Sequence, residues 1–413
     1  MANTLKFGNG EWYGKKDTIL AYNDENSNYK PLPFDFSRAS KATVINKDGL
    51  IETVGSGIPR IDFLGNTKGA LLLEPQRTNL ITQSEYFGDS YWVKTNVSIT
   101  SNSAVSPSGI TNAAKLTEDA TNAQHKIYSG IITAVAGDRY TQSFFAKSAE
   151  RNWVYLEHEA NPLAWFNLSN GTIGATYNNY NASASIQDYG NGWYRCIVSY
   201  DANDTTSRAY IGVTNADNTS TYLGDGSSGA YIWGAQVEAG SYATSYIPTY
   251  GSSVTRVLET CSTSSNASTF NSTEGVLYAE VEALANADVN RKISLNDGTS
   301  DNSVVMFYYT LSDYIFFQVY KAGTRILNLS VNNVDKSILH KIAFKYKNSD
   351  YSVWIDGVEL LTDSLADNIP ANTLNKLSFD GGVGAYPFNG KVNAVQVYKE
   401  ALTDTELAAL TTI

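Results

Sequence analysis

Apolar and polar residues alternate along most of this chain with a period of two, the mark of strands that bury one face. In NWVYLEHEA, Val154 and Leu156 fall on one face, and Trp153, Tyr155, Glu157 and Glu159 on the other. In AWFNLSNG, Ala164, Phe166 and Leu168 read as buried, so Trp165 and Asn167 should face out. Leu277, Ala279, Val281 and Ala283 share a face opposite Tyr278, Glu280 and Glu282. Ile342, Phe344 and Tyr346 oppose Lys341, Lys345 and Lys347. Further strands are predicted at RYTQSFFAKS, GWYRCIVSY, RAYIGVT and GAYIWGAQVE, with Gly, Asn, Asp and Ser between them. Asp48-Gly49 and Asp356-Gly357 are hairpin-turn signals. A helix is predicted near Asp404, where Thr403 and Glu406 have capping-box spacing. The pattern predicts an all-β chain of tandem antiparallel β-sandwiches.

A chain of 413 residues exceeds a single compact core. Three blocks are expected: residues 1–88, a sandwich over 89–255, and a second sandwich over 275–413. A Ser/Thr-rich linker, 256–274, would join the last two. The first block is short and Gly/Pro-punctuated, and is expected to need a partner to bury Leu71–Leu73.

Composition narrows the function. The formal net charge of -11, with no Lys/Arg-rich run, argues against a nucleic-acid partner. Cys196 lies in a predicted strand and Cys261 in the linker, so no disulfide scaffold is expected. Met1–Lys16 has no apolar signal-peptide core, and GALLLEP is too short to span a bilayer. The expectation is a protein made in the cytoplasm without membrane insertion.

Candidate chemistry is sparse. Glu157/Glu159 and Glu280/Glu282 have same-face spacing of about 6.5–7 Å, within reach of glycosidase carboxyl pairs but also the spacing of any solvated strand face. His125, His158 and His340 lack metal-ligand spacing, and His158 lies on the apolar side of its strand. The loops Asn296–Asn302 and Gly224–Gly229 offer oxygens to calcium, or are ordinary Asp-Gly turns. No catalytic residue, metal ligand or obligate cofactor is predicted, with calcium the one open possibility. The candidate glycan-binding residues are Trp153, Tyr155, Trp165, Tyr177 and Tyr180, since sugar rings stack on exposed aromatics beside Asn and Glu. The same rings would equally serve to cover the N-terminal block or a sibling subunit.

Several segments carry a resemblance. FSRAS, DGLIETV, PRIDF and LLLEPQRTNL resemble the segment that precedes lectin-like modules in phage fibre proteins. The order SFFAKSAERNWVYL, WFNLSNGTI, GNGWYRC, then TYLGDGSSGAYIWGAQVEAGSYATSYIPT, resembles carbohydrate-binding-module-like jelly rolls of virion proteins. FNGKVNAVQVYKEALTDTEL resembles the close of laminin-G-like, concanavalin-A-type sandwiches. The resemblance implies a phage virion appendage, a tail or head fibre component that adheres to host-surface glycans. Its partners would be other virion proteins and host-surface polysaccharide, its N-terminal block a virion-attachment or oligomerisation region, and its assembly a homotrimer. Capsid decoration or tail assembly through protein contacts is one alternative, and a polysaccharide depolymerase is another. Lectin-sandwich hydrolases carry a third acid in an E-x-D-x-x-E-like run, which YAEVEAL and YLEHEAN lack. The resemblance therefore implies binding without turnover.

Overall fold

The computed structural model describes residues 34–413 except 159–160, 287–288, 311–313 and 365–366, with four short strands before residue 34. The chain forms two compact units. A central unit comprises Ala42–Thr53 and Gln76–Arg256. A C-terminal unit comprises Met1–Lys41, Val54–Pro75 and Val257–Ile413. Both are antiparallel sandwiches, as the alternating pattern requires: each strand puts one face into a core and leaves the other for loops or water.

In the central unit a seven-stranded sheet runs Val93–Thr95, Asn122–Tyr128, Tyr210–Thr214, Trp153–His158, Asn161–Asn167, Thr172–Thr176, with Thr221–Leu223 also on Asn122–Tyr128. The six-stranded sheet runs Val97–Val105, Thr111–Glu118, Gly229–Ala239, Arg139–Ser148, Trp193–Asp201, Ser183–Asp188. Ile127, Val154, Leu156, Phe166 and Ile211 from the first meet Leu116, Phe144, Cys196, Val198 and Ile232 from the second. The Asp48-Gly49 hairpin belongs to this unit rather than to an N-terminal block. Gly49 takes φ 75°, and Ile51 N donates to Pro107 O at 2.9 Å.

In the C-terminal unit an eight-stranded sheet is centred on Glu274–Ala283, between His340–Lys347 and Gly390–Tyr398. The opposing five-stranded sheet runs Thr324–Val331, Ile315–Lys321, Ser303–Tyr308, Arg291–Asn296, Lys376–Ser378. Leu277, Val281, Phe344 and Val395 pack against Ile293, Met306, Phe317 and Val319. The helix Asp404–Thr411 starts at the predicted capping box, and its Leu407 packs with Tyr278, Ala343 and Trp354.

Two sequence expectations fail here. Leu71–Leu73 need no partner chain: Leu71, Leu72 and Leu73 pair with Val392, Lys391 and Gly390, extending the eight-stranded sheet. The matching edge lies some three hundred residues downstream, beyond the range of any local pattern. The stretch 256–274 is not a free linker either. Thr260–Ser262 pairs with Asp35–Ser37, and Ser264 exchanges backbone hydrogen bonds with Leu377 at 2.9 and 3.0 Å. Its Ser/Thr-rich composition reads as linker, yet Thr, being β-branched, serves well in a paired strand. Cys261 is buried there with a free thiol, which burial pushes well above its ordinary pKa.

A buried charge cluster joins these segments within the C-terminal unit. Glu259 pairs with Arg38 at 2.7 Å and with both the Nε (2.9 Å) and Nη2 of Arg60. Arg60 Nη2 also meets Glu74 at 2.8 Å. The backbone closes the ring: Glu74 N donates to Glu259 Oε2 at 2.9 Å, and Glu259 N to Glu74 O at 3.1 Å. Burial opposes the charge of Arg60, but Glu259 and Glu74 together push its pKa up. Glu259→Gln would leave buried guanidinium groups undercompensated, since arginine cannot shed its proton. It should destabilise the C-terminal unit by about 3–5 kcal/mol in urea unfolding; a loss below about 1 kcal/mol would show that the cluster is dispensable.

Candidate functional site

The register of the seven-stranded sheet gathers most of the predicted aromatics on its outer side. Tyr155 pairs with Trp165 on one neighbouring strand and with Gly212 on the other. Tyr155 lies across Gly212, where an added Cβ would stand 2.1 Å from the ring. Tyr155 and Trp165 stack at 5.8 Å, and Trp165 meets Tyr177 edge-on at 5.7 Å. These rings are not an open sugar platform, contrary to the expectation for Tyr155 and Trp165, which are 0% and 2% exposed. The chain's own loop, 215–220, is tied across them: Trp165 Nε1 donates to Thr219 O at 3.0 Å, and Tyr177 OH to Asn218 Oδ1 at 2.7 Å. Trp153 is half-buried on the same side. Tyr180 stands apart, half-buried and edge-on to His158 at 4.8 Å. Tyr177 alone of the five is well exposed.

The other candidates are committed to structure. Glu157 is buried against Lys126 at 2.6 Å; burial raises its pKa and Lys126 partly offsets this. Glu159 lies outside the described residues. Glu280 accepts from Tyr278 OH and Asn393 Nδ2, each at 3.3 Å, while burial raises the carboxyl of Glu282. His125 bonds to the carbonyls of Asn96 (2.8 Å) and Tyr222 (3.3 Å), His158 to Asn203 Oδ1 (2.9 Å), and His340 to Asp356 (2.7 Å). Among the described residues no three His, Cys, Asp or Glu side chains converge as a metal site. In the two candidate calcium loops, Asp225 accepts from Ser227 and Ser228, and Asp297 from Thr299 and Asn302, so their oxygens serve the turns themselves.

A different feature of the central unit has the geometry of a ligand site. A cleft of about 520 Å³ opens between Tyr86 and Tyr250, over Glu85, Asn102, Asn112 and Thr249. Tyr250 is 86% exposed and Tyr86 48%. At its base Glu85 accepts from Asn112 Nδ2 at 3.0 Å and from Tyr246 OH at 3.1 Å. The Asn112 side-chain Oδ1 is buried and has no hydrogen-bond partner among the described residues. Burial raises the pKa of Glu85, and the Tyr246 hydrogen bond partly opposes this.

The SYIPTY turn positions one wall. Ile247 N donates to Gln236 Oε1 (2.7 Å), Asn79 Nδ2 to Ile247 O (2.8 Å), and Thr249 N to Ser84 Oγ (2.8 Å). A bridge between Gln83 and Tyr250 fixes its last residue. Tyr86 and Tyr250 lie outside any strand period and 164 positions apart in sequence, so periodicity did not flag them. The one local signal was the SYIPTY turn itself, whose proline is followed two positions on by a tyrosine.

Residues 265–408 match the family model Laminin_G_3, described as the concanavalin A-like lectin/glucanases superfamily. This places a laminin-G/concanavalin-A-like lectin domain in the C-terminal unit. No curated protein matches the sequence. Among solved structures, the CBM40 of Ruminococcus gnavus IT-sialidase is 20% identical over 34% of this chain and 84% of that one, with a TM-score of 0.30. Domain 4 of AbnA, an extracellular arabinanase from Geobacillus stearothermophilus, in complex with arabinotriose, is 12% identical over 42% and 81%, with a TM-score of 0.32. Domains LG4-5 of the mouse laminin alpha1 chain are 9% identical over 68% and 86%, with a TM-score of 0.25. Scores this low transfer no site and no ligand to this chain.

The burial of the ladder predicts that Trp165→Ala destabilises the central unit by about 3–5 kcal/mol, as large-to-small changes of buried aromatics do. A melting temperature unchanged from the parent would contradict it. The raised pKa of Glu85 has a pH signature. The cost of burying its charge is absent below the ordinary glutamate range, near about pH 4, and complete above the raised folded value. Glu85→Gln should therefore raise the melting temperature more at pH 8 than at pH 4. Equal shifts at both would rule out a buried charge at the cleft base.

Proposed function

We propose that this chain is a glycan-binding adhesive component of a phage virion, a fibre or spike-like appendage that binds without turnover. The observation that carries the binding reading is the cleft: two solvent-facing tyrosines over a half-buried carboxylate and an amide with an unspent acceptor. Sugars present C–H faces to aromatic rings and hydroxyls to carboxylates and amides, and this cleft offers both kinds of surface. The lectin-superfamily match in the C-terminal unit supports the same class of ligand. The virion assignment rests on the FSRAS, PRIDF, LLLEPQ and SYIPT resemblance. In that setting the partners are other virion proteins and host-surface polysaccharide, and the assembly is a homotrimer. Shallow sites suit such a role, because in an oligomer the second contact becomes intramolecular and weak single contacts add.

Tyr250→Ala and Tyr86→Ala should each weaken binding of the purified protein to host-cell polysaccharide by about five- to tenfold. Their melting curves should match the parent, since both rings contribute little to the core. Undiminished binding in the double variant would remove the cleft from the function.

A further inference from the structure

The outer face of the five-stranded sheet in the C-terminal unit carries an aromatic strip unrelated to the cleft. Strand register sets Lys292, Phe307, Phe316 and Ser330 side by side across four strands. Their sequence neighbours Ile293, Met306 and Phe317 fill the core, so this row points away from it. Phe307 and Phe316 lie 6.0 Å apart. Tyr314 stacks on Phe316 at 5.8 Å, Tyr309 lies edge-on to both phenylalanines, and Tyr386 stacks on Phe307 at 6.2 Å and 29°. Tyr386 holds φ 58°, the left-handed region that a tyrosine seldom enters, and its carbonyl accepts from Lys292 N at 2.9 Å. Tyr386 is 49% exposed, and Lys292, Phe307 and Phe316 are half-buried.

The ammonium of Lys292 sits in this strip. Its Nζ lies 4.7 Å from the Phe307 ring centre and 5.0 Å from that of Tyr386. Its stem crosses Gly381, where a Cβ would come within 3.0 Å of the lysine Cδ. Burial lowers the Lys292 pKa, and among the described residues no carboxylate acts against it. Lys292 makes no ion pair with the described residues, although acids outnumber bases 41 to 30 in the sequence. Two π faces hold the cation in place and leave its N–H donors unspent.

An anion borne on a flat, C–H-rich ring satisfies both halves of this surface. We propose that the strip is a second saccharide site, selective for a sugar unit that carries a carboxylate. The ring stacks on Phe307, Phe316 and Tyr386, and the carboxylate meets Lys292 Nζ. Ser330 and the exposed Asn328, whose Oδ1 already accepts from Gln318 Nε2 at 2.8 Å, offer polar groups for hydroxyls at the far side. The net charge of -11 repels a dense polyanion at long range, so the site suits an isolated acidic residue in an otherwise neutral glycan. This inference stands whether or not the Tyr86–Tyr250 cleft binds sugar.

The test is calorimetry on the full chain with a neutral oligosaccharide ending in one glucuronic acid, and with its methyl ester. The acid should bind at least about tenfold tighter than the ester, as a charge-assisted contact requires. Lys292→Met should abolish that preference, Lys292→Arg should keep part of it, and Tyr386→Ala should weaken both ligands with an unchanged melting curve. Tyr250→Ala should leave the acid preference intact, which separates this site from the cleft. Should Lys292→Met fail to fold, Lys292→Arg and Tyr386→Ala still decide. Equal affinity for acid and ester, a preference that survives Lys292→Met, full affinity in Tyr386→Ala, or no binding at millimolar ligand would each overturn the proposal.

Discussion

Glu259 is the group on which the C-terminal unit turns. One carboxylate, withdrawn from water, satisfies two guanidinium groups and a backbone N–H. Burying charge is costly unless every member is paired, and pairing here demands that Arg38, Arg60, Glu74 and Glu259 arrive together. They come from three separate stretches of the chain. The cluster therefore ties the strands Asp35–Ser37, Arg60–Asp62, Ala70–Leu73 and Thr260–Ser262 into one unit. FSRAS, PRIDF and LLLEPQ each deliver one charge to the same buried point. Glu74 and Glu259 flank the long excursion into the central unit, and their paired backbones close its base.

The central unit fixes its own returning segment with buried polar side chains. Its Gly229–Ala239 strand carries Gln236 and Glu238, both buried. Gln236 and Asn79 hold the backbone of Ile247, and Glu238 accepts from Thr244 N at 2.9 Å and from its hydroxyl. The WGAQVEAGSYATSYIPT run is thus a strand and the strap that returns over it, joined by side-chain amides and carboxylates. A strap fixed this firmly can display Tyr250 to solvent without losing its position, which is what a binding ring needs.

Each sandwich has outer faces as well as a core, and their treatment decides what is available for function. On the seven-stranded sheet the loop 215–220 closes over Trp165, so Tyr155 and Trp165 are withdrawn from solvent. On the five-stranded sheet Phe307, Phe316 and Tyr386 remain partly open around a lysine. Period and residue type are alike in the two cases. The difference lies in a loop.

Alternation alone determined the class of this protein. Period two puts Val154/Leu156, Leu277/Val281 and Ile342/Phe344 each on one face of a strand, and those faces form the cores, because which side of a strand a residue takes is a local property of the backbone. The capping box at Thr403 was legible for the same reason: its donors and acceptors are three residues apart. Tertiary structure alone decided where Leu71–Leu73 would pair, that Thr260–Ser262 within 256–274 would pair as a strand, and that Tyr155 and Trp165 would be covered. It also brought Tyr86 to Tyr250 and Tyr386 to Lys292. These outcomes depend on segments far apart in sequence, and a strand's outward face carries no local record of what will come to lie over it.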